Sequence, residues 1–161
     1  QVDIHPSDPW RNGLVYDETR GARGWIYPQL EGTKIGPDQV SNASPFKYAD
    51  EGDGWNDLHI VCEGTRLQTI VNGVVVCDQD FAGVLDSAAH QEHDVGMSGR
   101  IALQIHAQAE VKISFKDIYL KVRMSHGEWS VSPALIRHDV QFSQRLLPQL
   151  RLPPPFSSNK H

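Results

Sequence analysis

Positive charge is scarce in this sequence. Across residues 1–123, 11 Lys and Arg residues stand against 18 Asp and Glu residues, whereas residues 124–161 carry 4 against 2. An acidic body of this kind argues against nucleic acid or an anionic membrane as the principal partner. Cysteine is also scarce. Cys62 and Cys77 lack the spacing of a metal or redox motif, so they leave the redox compartment open.

Long apolar runs are missing as well. No run approaches the roughly 20 residues of a membrane-spanning helix, and no segment resembles a signal peptide. The first residue is Gln1 rather than Met, which leaves open a leader, a tag or a larger upstream segment. A length of 161 residues is that of one domain with a sizeable core.

No long segment before residue 124 has a helical period. Short alternating segments at residues 1–5, 13–18 and 25–27 predict strands, and prolines after the first and third predict where those end. Residues 28–54 contain three prolines and predict a long surface loop. Short strands joined by turns that contain Gly, Asn and Pro favour an all-β antiparallel sandwich.

Residues 55–78 have the clearest pattern, that of a three-stranded meander. Gly64 and Thr65 fit the first tight turn, and Asn72-Gly73 is the preferred pair for a type I′ turn. This register places Cys62 opposite Leu67 and Cys77 opposite Gln68. The two cysteines then point to opposite faces of the sheet, so we predict two free thiols.

A polar loop follows at residues 79–98. Four of its side chains could bind a metal ion, although their spacing defines no ligand geometry and a solvated loop is the alternative: His90, Glu92, His93 and Asp94.

Residues 99–107 alternate strictly and predict a half-buried strand. Ile101, Leu103 and Ile105 share the apolar face, while Gln104 and His106 project together from the other. The polar face is either a site or an ordinary solvated surface.

Residues 110–122 continue the strands, with a change of phase at Lys116-Asp117 that indicates a bulge or bend. We therefore assign residues 1–123 to the sandwich and residues 124–161 to a C-terminal extension. The extension is extended or partly helical, with a weak helical pattern over residues 133–147, and it is a docking arm or a disordered end.

Several short motifs occur in a specific order along the first 122 residues. In order, they are Gln1-Val-Asp3, residues 13–19, Gly54-Trp-Asn-Asp57, Glu63-Gly-Thr-Arg66, Asn72-Gly-Val74, residues 99–106 and Phe115-Lys-Asp-Ile118. Together they resemble the 3-keto-disaccharide hydrolase domain family. The resemblance implies a concanavalin A-like β-sandwich, or jelly roll, in an exported protein of the periplasm or the extracellular space.

Members of that family have further strands before the one that begins here at Gln1. The resemblance therefore implies that these strands lie in a separate chain or that the sequence is a fragment. A sandwich without them exposes sheet edges and apolar surface, so we expect a homo-oligomer or a partner chain.

The resemblance also implies a chemistry, the cleavage of glycosides already oxidised to a ketone at C3. A base removes the proton on C2 and the C1 substituent leaves, which gives an enone. The reaction either ends there or continues with the addition of water to the enone. His106 suits the base because imidazole titrates near neutral pH. Gln104 suits a hydrogen bond to a sugar hydroxyl or to the enolate oxygen.

Further candidates lie on the first strands. Asp3 and His5 share a strand face and suit proton transfer or a divalent cation, whose identity is open. Tyr16 and Glu18 suit sugar contact and the acid, and Trp25 suits stacking on a pyranose ring. The alternative for Asp3 and Glu18 is simple pairing on the surface with Arg11, Arg20 or Arg23, which would contribute little to stability.

Two other functions remain open. One is a non-catalytic carbohydrate-binding or protein-interaction module, because the fold by itself does not decide function. The other is a structural subunit of a larger assembly, attached through its C-terminal extension.

Overall fold

The computed structural model describes residues 1–5, 8–32, 34–40, 44–48, 50, 52–105, 112–123, 129–133 and 140–143. These residues belong to two compact units, residues 1–100 (unit 1) and residues 101–161 (unit 2), each of which is described by itself.

The first sheet of unit 1 is a small antiparallel meander. It contains β1 (Val15–Asp17), β2 (Gly24–Tyr27) and β3 (Gln29–Leu30), in that order. The predicted strand over residues 1–5 is shorter than expected. Val2 bridges to Val15, and the backbone of Asp3 exchanges hydrogen bonds with Gly13 and Leu14. The predicted long loop after residue 27 contains β3 and a 3₁₀ turn at Pro37–Gln39.

The second sheet of unit 1 confirms the predicted meander. It contains β4 (Leu58–Glu63), β5 (Arg66–Val71) and β6 (Val74–Asp80). Glu63 pairs with Arg66 around the predicted Gly64-Thr65 turn. Asn72 and Gly73 have φ values of 48° and 81°, as a type I′ turn requires.

A bulge changes one part of the predicted register. It lies between Thr69 and Ile70, so that Cys77 is opposite Thr69 rather than Gln68. Cys62 and Cys77 therefore share a face of the sheet, and the predicted opposite orientation is wrong. The predicted free thiols are nevertheless confirmed. Two strand spacings of about 4.8 Å separate the cysteines, more than the roughly 7 Å Cα reach of a disulfide.

The two sheets of unit 1 share a core that contacts both sides of β1. Leu14 and Tyr16 pack with Trp25, Val71 and Val76, whereas Val15 packs with Cys77 and Phe81. The sheets approach closely at Gly13, where an added Cβ would lie 3.0 Å from a methyl group of Val71. There the Thr69 hydroxyl donates a buried 2.6 Å hydrogen bond to the Gly13 carbonyl.

Residues 79–98, predicted as a loop, contain the short helix α1 (Ala88–Glu92). Ser87 caps it, since the backbone N–H of His90 donates to the Ser87 hydroxyl. Five residues are too few for a hydrophobic period to appear in the sequence.

Unit 2 begins with residues 101–105, where the predicted strand is wrong. These residues have no strand pairing in the described part of the chain, and Ile101 is 79% exposed. Alternation predicts a strand only where a neighbouring strand completes the hydrogen-bond ladder. The remaining two residues of that prediction, His106 and Ala107, lie outside the described residues.

The later part of unit 2 forms two antiparallel pairs. β7 (Lys112–Phe115) pairs with β10 (Val140–Ser143), and β8 (Tyr119–Arg123) pairs with β9 (Trp129–Pro133). The predicted break lies between β7 and β8, where Asp117 has a φ of 51°. Residues 133 and 140–143 are extended rather than helical, and the other residues of the predicted helix lie outside the described part.

The described residues thus confirm an all-β antiparallel fold, consistent with a sandwich. Strands pair only in the antiparallel sense in this part of the chain, and α1 is its one α-helix. Among the same residues, no helix has the length and apolarity needed to cross a membrane.

Candidate functional site

A buried ion pair joins Asp3 to Arg11 at one edge of the first sheet. Nε and Nη2 of Arg11 lie 3.0 and 2.8 Å from the same Asp3 oxygen, Oδ2. The ladder with β1 fixes the Asp3 backbone, and a 3₁₀ turn at Pro9–Arg11 presents the guanidinium. The guanidinium carbon lies 5.2 Å from the centre of the Trp25 ring, within cation–π range.

Tyr16 and Trp25 lie in the core beside this pair. They are cross-strand partners, and their rings meet edge to face with centroids 5.0 Å apart. Trp25 is only 3% exposed. Arg11 lies over the Trp25 ring and Tyr16 against it, so this arrangement favours packing over sugar stacking for Trp25.

Glu18 lies apart from Asp3, just after the end of β1. It forms an exposed ion pair with Arg23, whose Nε donates to Oε2 at 2.8 Å. That hydrogen bond raises the pKa of Arg23. Asp3 and Glu18 both have arginine partners, as the alternative interpretation predicted, but the Asp3 pair is buried rather than superficial.

His5 belongs to a closely hydrogen-bonded turn. Its Nδ1 accepts a 3.2 Å hydrogen bond from the backbone N–H of Asp8, which leaves the second ring nitrogen to carry the proton of the neutral ring. The buried side chain of Asn12 closes this turn by accepting from the His5 N–H and donating to the Pro9 carbonyl. The turn thereby orients Arg11 toward Asp3.

The structure thus brings Asp3 and Trp25 to Arg11, with Tyr16 against the Trp25 ring, and it leaves Glu18 and His5 half-buried in unit 1. Gln104 is exposed in unit 2, and His106 lies outside the described residues. The predicted convergence of these residues on one face stays a prediction.

A second polar cluster, not predicted from the sequence, lies on the other side of β1. Nε2 of His90 is 3.1 Å from Oδ2 of Asp17, and Nδ1 of the same ring is 2.8 Å from the Ser87 hydroxyl. His90 and Asp17 are 3% and 6% exposed. The Ser-x-x-His spacing indicates a helix cap, but only the fold brings Asp17 to this pair, since the two segments are distant in sequence.

No metal centre is found among the described residues. No three His, Cys, Asp or Glu side chains of this part of the chain cluster closely enough to hold an ion. In the predicted metal loop, His90 faces Asp17, while Nε2 of His93 lies 3.2 Å from the Arg20 carbonyl oxygen. The predicted divalent cation stays a prediction.

A shallow pocket of about 140 Å³ lies on the second sheet. It is lined by Val61, Glu63, Arg66 and Gln68. Asp78 holds two of these side chains, since it lies 2.8 Å from Arg66 Nη2 and accepts a 3.1 Å hydrogen bond from Gln68. Carboxylate, guanidinium and amide groups of this kind bind hydroxyl-rich ligands.

Comparison with known proteins places this fold and its polar residues in a family. Residues 1–121 match the family model of the 3-keto-alpha-glucoside-1,2-lyase-like domain. Searches among curated proteins and solved structures returned no match. Because the family model spans most of the chain and both sheets of unit 1, the chain belongs to the 3-keto-alpha-glucoside-1,2-lyase-like domain family, and its function is carbohydrate-related.

Proposed function

We propose that this chain cleaves 3-keto-glycosides by removing the proton on C2 and expelling the substituent on C1. The observation that carries the proposal is the family match over residues 1–121. A ketone at C3 acidifies the neighbouring C2–H bond, so a base of modest strength removes that proton and leaves an enolate. Loss of the C1 substituent gives an enone, to which water adds in the hydrolytic variant.

The reaction needs a base that is free of its proton near neutral pH, and His106 is the proposed base. Gln104 is proposed to hydrogen-bond the enolate oxygen or a sugar hydroxyl. Glu18 is the proposed acid for the leaving group, with Tyr16 and His5 as sugar contacts. The predicted stacking by Trp25 is left out of the proposal, since Trp25 is 3% exposed and packed in the core.

The buried Asp3–Arg11 pair supports a polar site at this edge of the first sheet. Both nitrogens that face Asp3 contact Oδ2, and among the described residues Oδ1 has a long 3.5 Å contact with the Gln1 amide. Oδ1 is the proposed contact for a sugar hydroxyl or a divalent cation. The Arg11 guanidinium is proposed to stabilise the enolate through its positive charge.

The test is turnover of a 3-keto-α-glucoside with a chromogenic leaving group by the full chain. We expect release of the leaving group, and we expect His106→Ala to lower kcat by roughly 100-fold, the scale of general-base catalysis. His59→Ala is the matched control, because His59 is an exposed histidine of β4 outside the proposed machinery. Equal rates for the two variants would remove His106 as the base.

Deuterium at C2 of the same substrate distinguishes elimination from direct hydrolysis. Proton removal from C2 predicts a slower reaction of the deuterated sugar, and the unoxidised glucoside should not react because its C2 proton is not acidic. Cleavage of the unoxidised glucoside, or equal rates for the two isotopologues under single-turnover conditions, would contradict the proposed chemistry.

A non-catalytic carbohydrate-binding module is the second candidate. The pocket formed by Val61, Glu63, Arg66 and Gln68 favours it, because polar side chains that can hydrogen-bond a sugar line this depression and none of them belongs to the proposed catalytic residues. Saturable binding of a glucoside without any turnover, lost in Arg66→Ala, would favour the module over the enzyme.

An extracytoplasmic location and association with a second copy or a partner chain complete the proposal. The location rests on the family resemblance. Association is supported by apolar side chains of β4 and β6 that stay exposed in the described structure: Leu58, Ile60, Val74 and Val75.

A further inference from the structure

Ser87, His90 and Asp17 form a continuous polar contact chain from the surface into the core of unit 1. The Ser87 hydroxyl is half-buried and lies 2.8 Å from Nδ1 of His90. On the opposite edge of the ring, Nε2 lies 3.1 Å from Oδ2 of Asp17. A hydroxyl, an imidazole and a carboxylate in this order are the parts of an activated nucleophile.

Asp17 contacts both the backbone after β1 and the His90 ring. Its Oδ1 accepts a 2.8 Å hydrogen bond from the Thr19 N–H, whereas its buried Oδ2 accepts no hydrogen bond within the described residues. His90 Nε2 and Asp17 Oδ2 are therefore close enough for an ion pair, but their geometry is not that of a hydrogen bond. An ionised Asp17 favours the tautomer with a proton on Nε2, so that Nδ1 keeps its lone pair for the Ser87 O–H.

The loop that contains Ser87 is held against β1 and the turn after it. Nε2 of His93 lies 3.2 Å from the Arg20 carbonyl, and the Val95 N–H donates to the His90 carbonyl. Gly96, with a φ of 89°, closes the loop where a side chain would collide with the Leu85 carbonyl. These contacts hold the loop in place, and the His90 ring lies between Ser87 and Asp17.

We propose that Ser87 is a nucleophilic serine toward small acyl esters, an activity separate from 3-keto-glycoside cleavage. Ser87 Oγ bonds to the acyl carbon, and its proton passes to Nδ1 of His90. Asp17 stabilises the imidazolium. The C–O bond to the leaving group then breaks, and the alkoxide takes the proton from His90, giving an alcohol and an acyl-Ser87 ester. Water releases the acid by the same route and regenerates the serine.

A fluorophosphonate tests this assignment on the full chain without knowledge of the natural ester. Ser87 Oγ displaces fluoride from phosphorus, and the proton goes to His90. We expect one adduct per chain, and fragmentation mass spectrometry should locate it at Ser87. Because the adduct is mapped on the chain without substitutions, its position identifies the reactive residue even if a variant fails to fold.

Two matched pairs of variants test the relay. Ser87→Ala should abolish labelling, whereas Ser98→Ala, which removes an exposed serine of the next loop, should leave it unchanged. His90→Gln should slow labelling roughly 100-fold, while His59→Gln, which changes an exposed histidine of β4, should keep it within about threefold. Thermal unfolding of each variant verifies that the comparison is made on folded protein.

Three results would each overturn the assignment. The first is labelling of the folded protein no faster than that of an unactivated serine. The second is an adduct at another residue, and the third is a folded His90→Gln variant that is labelled as fast as the chain without substitutions. In each case Ser87 acts only as the cap of α1.

Discussion

Two arginine–carboxylate pairs of unit 1 differ in their exposure to water. The Arg11 side chain is 23% exposed and rests on Trp25, whereas that of Arg23 is 62% exposed. Loss of one partner of a buried pair leaves a charge without compensation, while an exposed ion is stabilised by solvent.

Replacement of each arginine by methionine measures this difference. Arg11→Met should lower the free energy of unfolding by about 2 kcal/mol, discounted from the fully buried case because the arginine keeps some solvent contact. Arg23→Met should leave stability nearly unchanged. Urea denaturation of both variants supplies the comparison, and equal losses would mean that the Asp3 carboxylate remains solvated.

At the scale of elements, the loop around α1 depends on glycines with positive φ. Gly83 and Gly96 have φ values of 82° and 89°. An added Cβ at Gly83 meets no atom within 4 Å, whereas at Gly96 it collides with the Leu85 carbonyl. The two positions therefore separate backbone strain from steric collision.

Alanine at each position tests that separation. Gly83→Ala should cost about 1 kcal/mol, the strain of a left-handed residue with a side chain. Gly96→Ala should cost about 3 kcal/mol, since the loop must also move away from Leu85. Chemical denaturation gives both values. A similar loss in the two variants would show that the loop around Leu85 relaxes without cost.

Local signals predicted the elements of the β4–β6 meander correctly. Asn72-Gly73 requires a tight turn whatever surrounds it, and Glu63 and Arg66 flank the other turn as predicted. The bulge at Thr69 has no such local signal, and it lies in the part of the sheet that Gly13 approaches closely.

Features that depend on contacts between distant residues were less predictable, because no local sequence signal marks them. Residues 101–105 alternate like a strand but have no neighbouring strand in the described part of the chain, and β9 and β10 form within a stretch whose pattern is weak. In the candidate site, Asp3 was predicted from its motif, whereas the Asp17–His90 contact needs the tertiary fold. Arg11 was predicted as a partner, but its contact with Trp25 was not.

At the scale of the whole molecule, the titration of one core group is coupled to unfolding. Cys77 is fully buried between the sheets, and desolvation raises the pKa of its thiol to about 12 from the ordinary 9.0. Well below pH 9.0 the thiol is neutral in both states. At higher pH the unfolded thiol ionises first, so stability is lost as the pH rises toward about 12.

This coupling predicts a comparison between the two cysteines. The unmodified chain should lose stability more steeply between about pH 9 and pH 11 than Cys77→Ala does, whereas Cys62→Ala should keep most of the steep dependence. Urea midpoints measured over that range give the slopes. Parallel profiles for the unmodified chain and Cys77→Ala would show that the thiol ionises equally in both states.

The burial of β1 on both faces has a consequence for how the chain tolerates sequence change over evolutionary time. All three of its residues are buried, and they contact two different parts of the core. The residues of β4 mostly face water on both sides. Drift among family members should therefore be slow along the three residues of β1, where a new side chain changes the interior, whereas a new side chain on β4 changes the surface.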